Sequence, residues 1–149
     1  MKNLLFSLFI AALFNCHLAA ADDLNTLSGK WSLKKVNDQG QNVTQTLEIK
    51  KDKFVFQILS ADDSLVLYAE GDLKLEKLGP FSSAKFFNIR GGRSASNLDD
   101  VDDVYVSIYS LDGDTWTLAT NFDKERDGQK PTLDVYRHIK AAPATKPAK

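Results

Sequence analysis

The sequence predicts an all-β protein, a single antiparallel up-and-down β-barrel of about eight strands, with a sandwich as the alternative. Three observations carry that expectation. Short runs of alternating apolar and polar residues recur along the chain, spaced by roughly 8–12 residues and separated by turn-forming clusters. Beyond residue 21 no long stretch keeps a 3.6-residue apolar period with good caps. The composition, with 43% hydrophobic and 26% charged residues in 149, is that of one ordinary globular domain.

The first 21 residues read as a targeting segment. Lys2 supplies the positive charge, Leu4 to Phe14 is apolar apart from Ser7, and Ala19-Ala20-Ala21 offers a small-residue cleavage site before Asp22-Asp23. That is the order of a secretory signal. An apolar run of eleven residues rises only about 1.5 Å per residue and falls short of a hydrocarbon core of about 30 Å. The expectation is export to the periplasm or the extracellular space, with no stable membrane span. Lipid attachment at Cys16 fits less well, since Phe14-Asn15 stands where a bacterial lipobox carries small residues. The domain is then expected over 22–140, followed by a loose Ala/Pro/Lys tail over 141–149.

The strands follow in order. Trp31 and Leu33 alternate with Ser32 and Lys34 until Asn37-Asp38-Gln39-Gly40 breaks the run. Val43, Gln45, Leu47 and Ile49 form the next inward set, and Lys51-Asp52-Lys53 the next break. Phe54, Phe56 and Ile58 alternate up to the turn Ala61-Asp62-Asp63-Ser64. Leu65, Leu67 and Ala69 open a strand that continues past Gly71 through Leu73 and Leu75 to Gly79-Pro80. A glycine inside such a run predicts a bulge or bend. Ala84–Ile89 is the next strand, and 91–100 a polar loop. Val104, Val106 and Ile108 are expected to face inward, before the hairpin signal Asp112-Gly113, for which a type I′ turn with two positive φ values is predicted. Trp116 and Leu118 face in on the following strand, and 121–130 is a loop. On the last strand Leu133, Val135 and Ile139 are expected inside, with Arg137 on the same face.

Leu27-Ser28-Gly29-Lys30-Trp31-Ser32-Leu33 carries an L-x-G-x-W-x-L opening, Leu111 to Leu118 a D-G-D-T-W hairpin, and Gly128 to Pro131 a late Pro loop before a basic final strand, Tyr136 to Lys140. In these features the chain resembles the lipocalin-like domain family multiplied in planctomycete bacteria, a calycin-like barrel, over roughly 24–140. The resemblance implies a barrel that can hold a small apolar ligand. It also implies that Arg137 stacks over Trp31 and closes one end, and the alternation of the last strand points Arg137 the same way.

Charge and composition exclude several classes. Lys+Arg 19 against Asp+Glu 20 gives a net charge of −1, without the basic footprint of a nucleic-acid partner. A single Cys excludes a disulfide scaffold and a thiolate zinc cluster. His138 is the one histidine after residue 21, and it is expected on the outer face of its strand. No nucleophile–His–acid arrangement, H-E-x-x-H or P-loop is present, so no enzyme, cofactor or metal is expected. Asp99-Asp100-Val101-Asp102-Asp103 is a carboxylate run without EF-hand spacing, and reads as a solvated loop. Gly91-Gly92-Arg93-Ser94 reads as a surface loop rather than an anion nest, and Asn42-Val43-Thr44 is a glycosylation sequon of little weight in a bacterial export setting. The aromatic-rich interior carries the functional expectation: Phe54, Phe56, Phe86, Val106 and Trp116 are the candidate lining of a ligand cavity. The alternative is an envelope structural or protein-interaction domain with a core filled by those same rings.

Overall fold

The computed structural model describes residues 18–122 and 130–140. The apolar segment Leu4–Phe14, Cys16 and the tail 141–149 lie outside them. Among the described residues a helix, α1 (Leu18–Leu27), leads into nine strands: β1 (Gly29–Val36), β2 (Asn42–Lys50), β3 (Lys53–Leu59), β4 (Leu65–Leu78), β5 (Phe81–Ser94), β6 (Asn97–Val101), β7 (Tyr105–Asp112), β8 (Thr115–Thr120) and β9 (Thr132–Ile139). All pairings are antiparallel. Eight of the strands close on themselves in the order β1-β2-β3-β4-β5-β7-β8-β9, with β9 returning to β1. The barrel expected from the sequence is thus the architecture of the protein, and no helix among the described residues is long and apolar enough to cross a membrane.

Closure places alternate residues inside. Val43, Gln45, Leu47 and Ile49 on β2 and Trp116 and Leu118 on β8 are buried, as their alternation predicts. The core continues through Trp31, Phe54, Leu73, Leu75, Ala84, Phe86, Ile89, Tyr109 and Tyr136. Leu27 joins it from α1, with Leu24 packed alongside, so the i, i+3 pair on one helical face faces the barrel. A turn and a half of helix past residue 21 is too short to show a periodic signal.

Two strands are in the opposite phase to the one expected. On β7 the buried residues are Ser107 and Tyr109, whereas Val106 and Ile108 lie half-buried on the outer face. Ser107 lies opposite Ala84, where β5 approaches closely and a small side chain fits. On β9 the inward set is Asp134, Tyr136 and His138, and Leu133, at 67% exposure, shares the outer face with Val135, Arg137 and Ile139. A one-residue slip exchanges the faces of a strand completely. Here polar groups with partners inside the barrel win over aliphatic residues that tolerate water.

The segment over 91–100 is a strand, turn and strand rather than a loop: β5 runs to Ser94, and β6 folds back on it from Asn97. This hairpin extends beyond the barrel proper, because β5 pairs with β7 only over Ser82–Phe86. The Asp112 hairpin is present one residue later than expected. Asp112 pairs with Thr115, so Gly113 and Asp114 are the central residues, and only Gly113 has positive φ (54°). That pattern, with Gly first, is not the type I′ turn predicted.

The glycine in β4 marks a bulge, as predicted. The β4–β5 register shifts between Glu70 and Asp72, so that Gly71 stands against two residues, Asn88 and Ile89, and Asn88 takes φ 50°. The extra residue changes the inward positions of β5 from Ala84 and Phe86 to Ile89. A Cβ on Gly71 would stand 2.8 Å from the Phe87 carbonyl oxygen and 2.9 Å from the Phe54 ring. Beside the bulge, the Asp72 carboxylate accepts from the Lys53 ammonium and, at 2.6 Å, from the Asn88 amide. The Lys53 and then the Asn88 hydrogen bond hold the Asp72 carboxyl below the usual carboxylate range.

Two outcomes follow. Gly71→Ala is expected to lose about 1–3 kcal/mol in urea unfolding, the range for overpacking against groups that cannot move. A depressed carboxyl contributes stability above its unfolded value of about 3.9 and loses it as pH falls through the folded value. The stability gap between the wild type and Asp72→Asn is therefore expected to be constant above about pH 5 and to shrink on acidification below that. Unfolding midpoints measured from pH 7 to pH 3 check it; a gap that stays constant to pH 3 contradicts the ion-pair account.

Candidate functional site

The two ends of the barrel differ in chemistry. At the end where β1 begins, α1 closes the interior. Its last turn leaves carbonyls without helical partners, and the Trp31 indole N–H donates to the Leu27 carbonyl at 2.9 Å inside the core. Ser28 Oγ donates to the Leu24 carbonyl, and the Tyr109 hydroxyl donates to Asp23 Oδ2 at 2.7 Å. Burial, and then the Asp23 hydrogen bond and charge, push the Tyr109 hydroxyl pKa up, so it stays a donor across the ordinary pH range. Trp31 packs edge-on against Trp116 with ring centroids 5.7 Å apart and tilts against His138 at 4.7 Å. Tyr109 and Tyr136 flank Trp116.

This geometry corrects the expected closing pair. Arg137 does not stack on Trp31. It is exposed on the outer face of β9, where its guanidinium donates to Thr115 Oγ1, and it lies opposite Ser32. Residue 138 is the one opposite Trp31, and His138 faces inward rather than outward. Gly29 has φ +129°, and a Cβ there would stand 2.4 Å from His138 Nε2. The opening motif is thereby explained residue by residue: Leu27 fills the end and offers its carbonyl, Gly29 makes room for the imidazole, and Trp31 caps the helix. No sequence period signals His138, because a lone histidine on a strand carries no phase.

The candidate lining residues divide. Trp116 is fully buried, and Phe54 and Phe86 meet edge-on at 5.1 Å, so these three are packed core near the α1 end. Val106 points outward. Phe56 lies half-buried on the inward face of β3, further from α1, opposite Ala69.

At the far end the inward positions are less buried. Leu33, Phe56, Ile58 and Ala69 are all half-buried on the inner face. Polar residues join them. The Lys35 ammonium lies 3.2 Å from Asp134 Oδ1, and the Tyr136 hydroxyl donates to Gln45 Oε1 at 2.8 Å within the core. Burial, and secondarily the Asp134 charge, push the Tyr136 hydroxyl pKa up, which keeps it protonated as a donor. β1 and β9 pair only over Lys30–Ser32 and Arg137–Ile139. Beyond those three pairs the Lys35–Asp134 contact bridges the two strands. Sequence reasoning assigns Gln45 to the interior but misses Asp134 and Tyr136, because the phase of β9 is reversed, and with them the partner that draws Lys35 of β1 inward.

A second concavity, a groove of about 590 Å³, lies outside the barrel along β5 and β6, between Lys85, Arg90, Asp100 and Val104. The acidic run lines part of it, and Arg90 answers Asp100 at 3.5 Å and Glu70 at 4.0 Å. Among the described residues no cluster of three or more His, Cys, Asp or Glu has metal-binding geometry.

No family model, curated protein or solved structure matches the chain.

The closed end yields a contrast between two substitutions. Gly29→Ala is expected to cost at least about 2 kcal/mol, from positive φ and the imidazole contact together. Arg137→Ala, at an exposed site, is expected to stay within about 0.5 kcal/mol of the wild type. Thermal and urea unfolding of both variants check the assignment; a large loss in Arg137→Ala would return the closing role to the arginine.

Proposed function

We propose that the protein is an exported, non-catalytic binding module of lipocalin-like type, which takes a small apolar ligand into the open end of its barrel. The observation that carries this reading is the inner-face set Leu33, Phe56, Ile58 and Ala69. These apolar side chains face the interior yet remain partly solvated, whereas the α1 end is filled by Trp31, Trp116, Leu27, Ile49 and Leu73. Apolar surface left accessible inside a closed sheet gains by being covered, at roughly 25 cal/mol per Å² removed from water. Concave apolar sites with a few placed polar groups are the usual form of small-ligand pockets. The filled α1 end limits the ligand to the distal half, so a compact molecule or a single short chain fits better than a large ring system. Export rests on the segment preceding Asp22 and the small residues Ala19 to Ala21.

A second reading is supported by the outer face of β9. Leu133, Val135 and Ile139, with Val36 on the neighbouring strand, expose a row of aliphatic side chains. Such a row suits a protein-interaction domain whose barrel holds nothing.

Uptake of the apolar fluorophore N-phenyl-1-naphthylamine by the full chain separates the two. Saturable binding is expected, weakened at least tenfold by Ala69→Met, which fills the distal interior, and unchanged by Leu133→Ser on the outer face. Absence of saturable uptake, or loss of it in Leu133→Ser with Ala69→Met unaffected, overturns the barrel reading in favour of the outer surface.

A further inference from the structure

We propose that Lys35, Gln45, Asp134 and Tyr136 form a polar subsite inside the open end, which receives the uncharged hydroxyl or carboxamide head of an apolar ligand. The inference rests on the barrel reading above and specifies its ligand class.

The four residues come together through register. Residues of β1 and β9 that pair sum to one constant, as in Ser32 with Arg137, and the same register sets Leu33 beside Tyr136 and Lys35 beside Asp134. Leu33 in turn lies opposite Gln45, and Lys35 opposite Val43. The Tyr136 hydroxyl therefore reaches across β1 to the Gln45 carboxamide, while Asp134, two residues back on the same face, meets Lys35. With one strand between them, Tyr136 and Gln45 stand about 9–10 Å apart at the backbone, within reach of two long side chains.

Their hydrogen-bonding capacity is unequally used. Gln45 is only 8% exposed, and its carboxamide oxygen is occupied by Tyr136. Its carboxamide nitrogen has no hydrogen-bond partner among the described residues, and it is not one of the fully buried unpartnered atoms, which are Trp116 Nε1 and His138 Nε2. That nitrogen therefore borders accessible space inside the barrel. A buried amide donor facing an opening lined by Leu33 and Ile58 is a site built to meet an acceptor. Asp134, with a side chain 15% exposed, gives Oδ1 to Lys35 and leaves Oδ2 as an acceptor. The subsite thus presents one neutral donor and one carboxylate acceptor, beside an ammonium whose charge cancels the carboxylate's.

That balance selects the head group. A carboxylate or ammonium brought in by the ligand would leave one charge uncompensated in a half-buried place, which is costly. A hydroxyl or primary amide accepts from Gln45 and donates to Asp134 without adding charge. The alternative is that the cluster only fastens β1 to β9 where their pairing stops.

The test uses the full chain and four decyl compounds with one tail: 1-decanol, decanamide, decanoate and decylamine, each displacing N-phenyl-1-naphthylamine at pH 7.5. Decanol and decanamide are expected to displace it at concentrations at least tenfold below those needed for decanoate and decylamine. Gln45→Leu, and separately the double variant Lys35→Met/Asp134→Leu, are expected to bring decanol and decanamide about tenfold closer to decanoate and decylamine, each compared within the same variant. Persistence of saturable fluorophore uptake reports that each variant is folded. Equal displacement by all four compounds, or variants that melt earlier with head-group preference intact, overturns the subsite and leaves the barrel reading standing. Failure of the fluorophore to bind the wild type overturns both.

Discussion

The hydrogen bond from the Trp31 indole to the Leu27 carbonyl organises the closed end. It satisfies a carbonyl that the end of α1 would leave unpaired in the core, where an unmet group costs about 1–3 kcal/mol. By fixing where the helix stops, it fixes where β1 starts. Gly29 then passes under His138 with no side chain to obstruct it, and the imidazole packs on the same indole. The last strand is consequently held at the first strand by a ring contact as well as by three backbone pairs. Two buried ring nitrogens, Trp116 Nε1 and His138 Nε2, have no partner among the described residues at this end. The closed end accepts that loss in exchange for dense aromatic packing, each edge-on pair being worth about 0.5–1.5 kcal/mol beyond its area.

The bulge at Gly71 and Asn88 does the second piece of shaping. Without it, β5 would carry its even-numbered residues inward along its whole length. The added residue places Ile89 inside and releases the end of β5 to pair with β6 instead of β7. The consequence is a hairpin that stands beyond the barrel on the open side, its β6 strand bearing Asp99 and Asp100. Charges on such a strand discourage pairing with another chain.

Much of this was legible in the sequence. Alternation on β2, β3 and β8 gave the right inward residues because their largest apolar members, such as Leu47 and Ile49, Phe54 and Phe56, and Trp116 and Leu118, share one face. Gly71 signalled its bulge because a strand glycine usually has a steric reason. The strands that misled were β7 and β9, and for one cause. Each has aliphatic residues on one face and small, aromatic or polar residues on the other, and the second face is the one inside. Tyr136 is interior because Gln45 accepts its hydrogen bond, and Asp134 because Lys35 meets it from β1. Those partners lie 91 and 99 residues away in the chain, so no local pattern carries them. The candidate site was misread for the same reason: large rings were assigned to the opening, but they satisfy the closed end, and the opening belongs to mid-sized aliphatics and four polar groups.

The interior is thus graded along the barrel axis, and the grading follows from what each end is made of. At the α1 end a helix supplies a leucine plug and a carbonyl, so two tryptophans can be buried with one indole hydrogen bond between them. At the far end the strands β1 and β9 part after Ser32. Apolar side chains alone would leave that parting weak, because their contacts are non-directional. The Lys35–Asp134 pair supplies a directional contact between β1 and β9 and the Tyr136–Gln45 pair one across β1, and their mutual neutrality lets them sit partly shielded from water. The proposed head-group site and the fastening of β1 to β9 therefore draw on the same four side chains, which is why the head-group preference of the variants, and not their stability alone, separates the two roles.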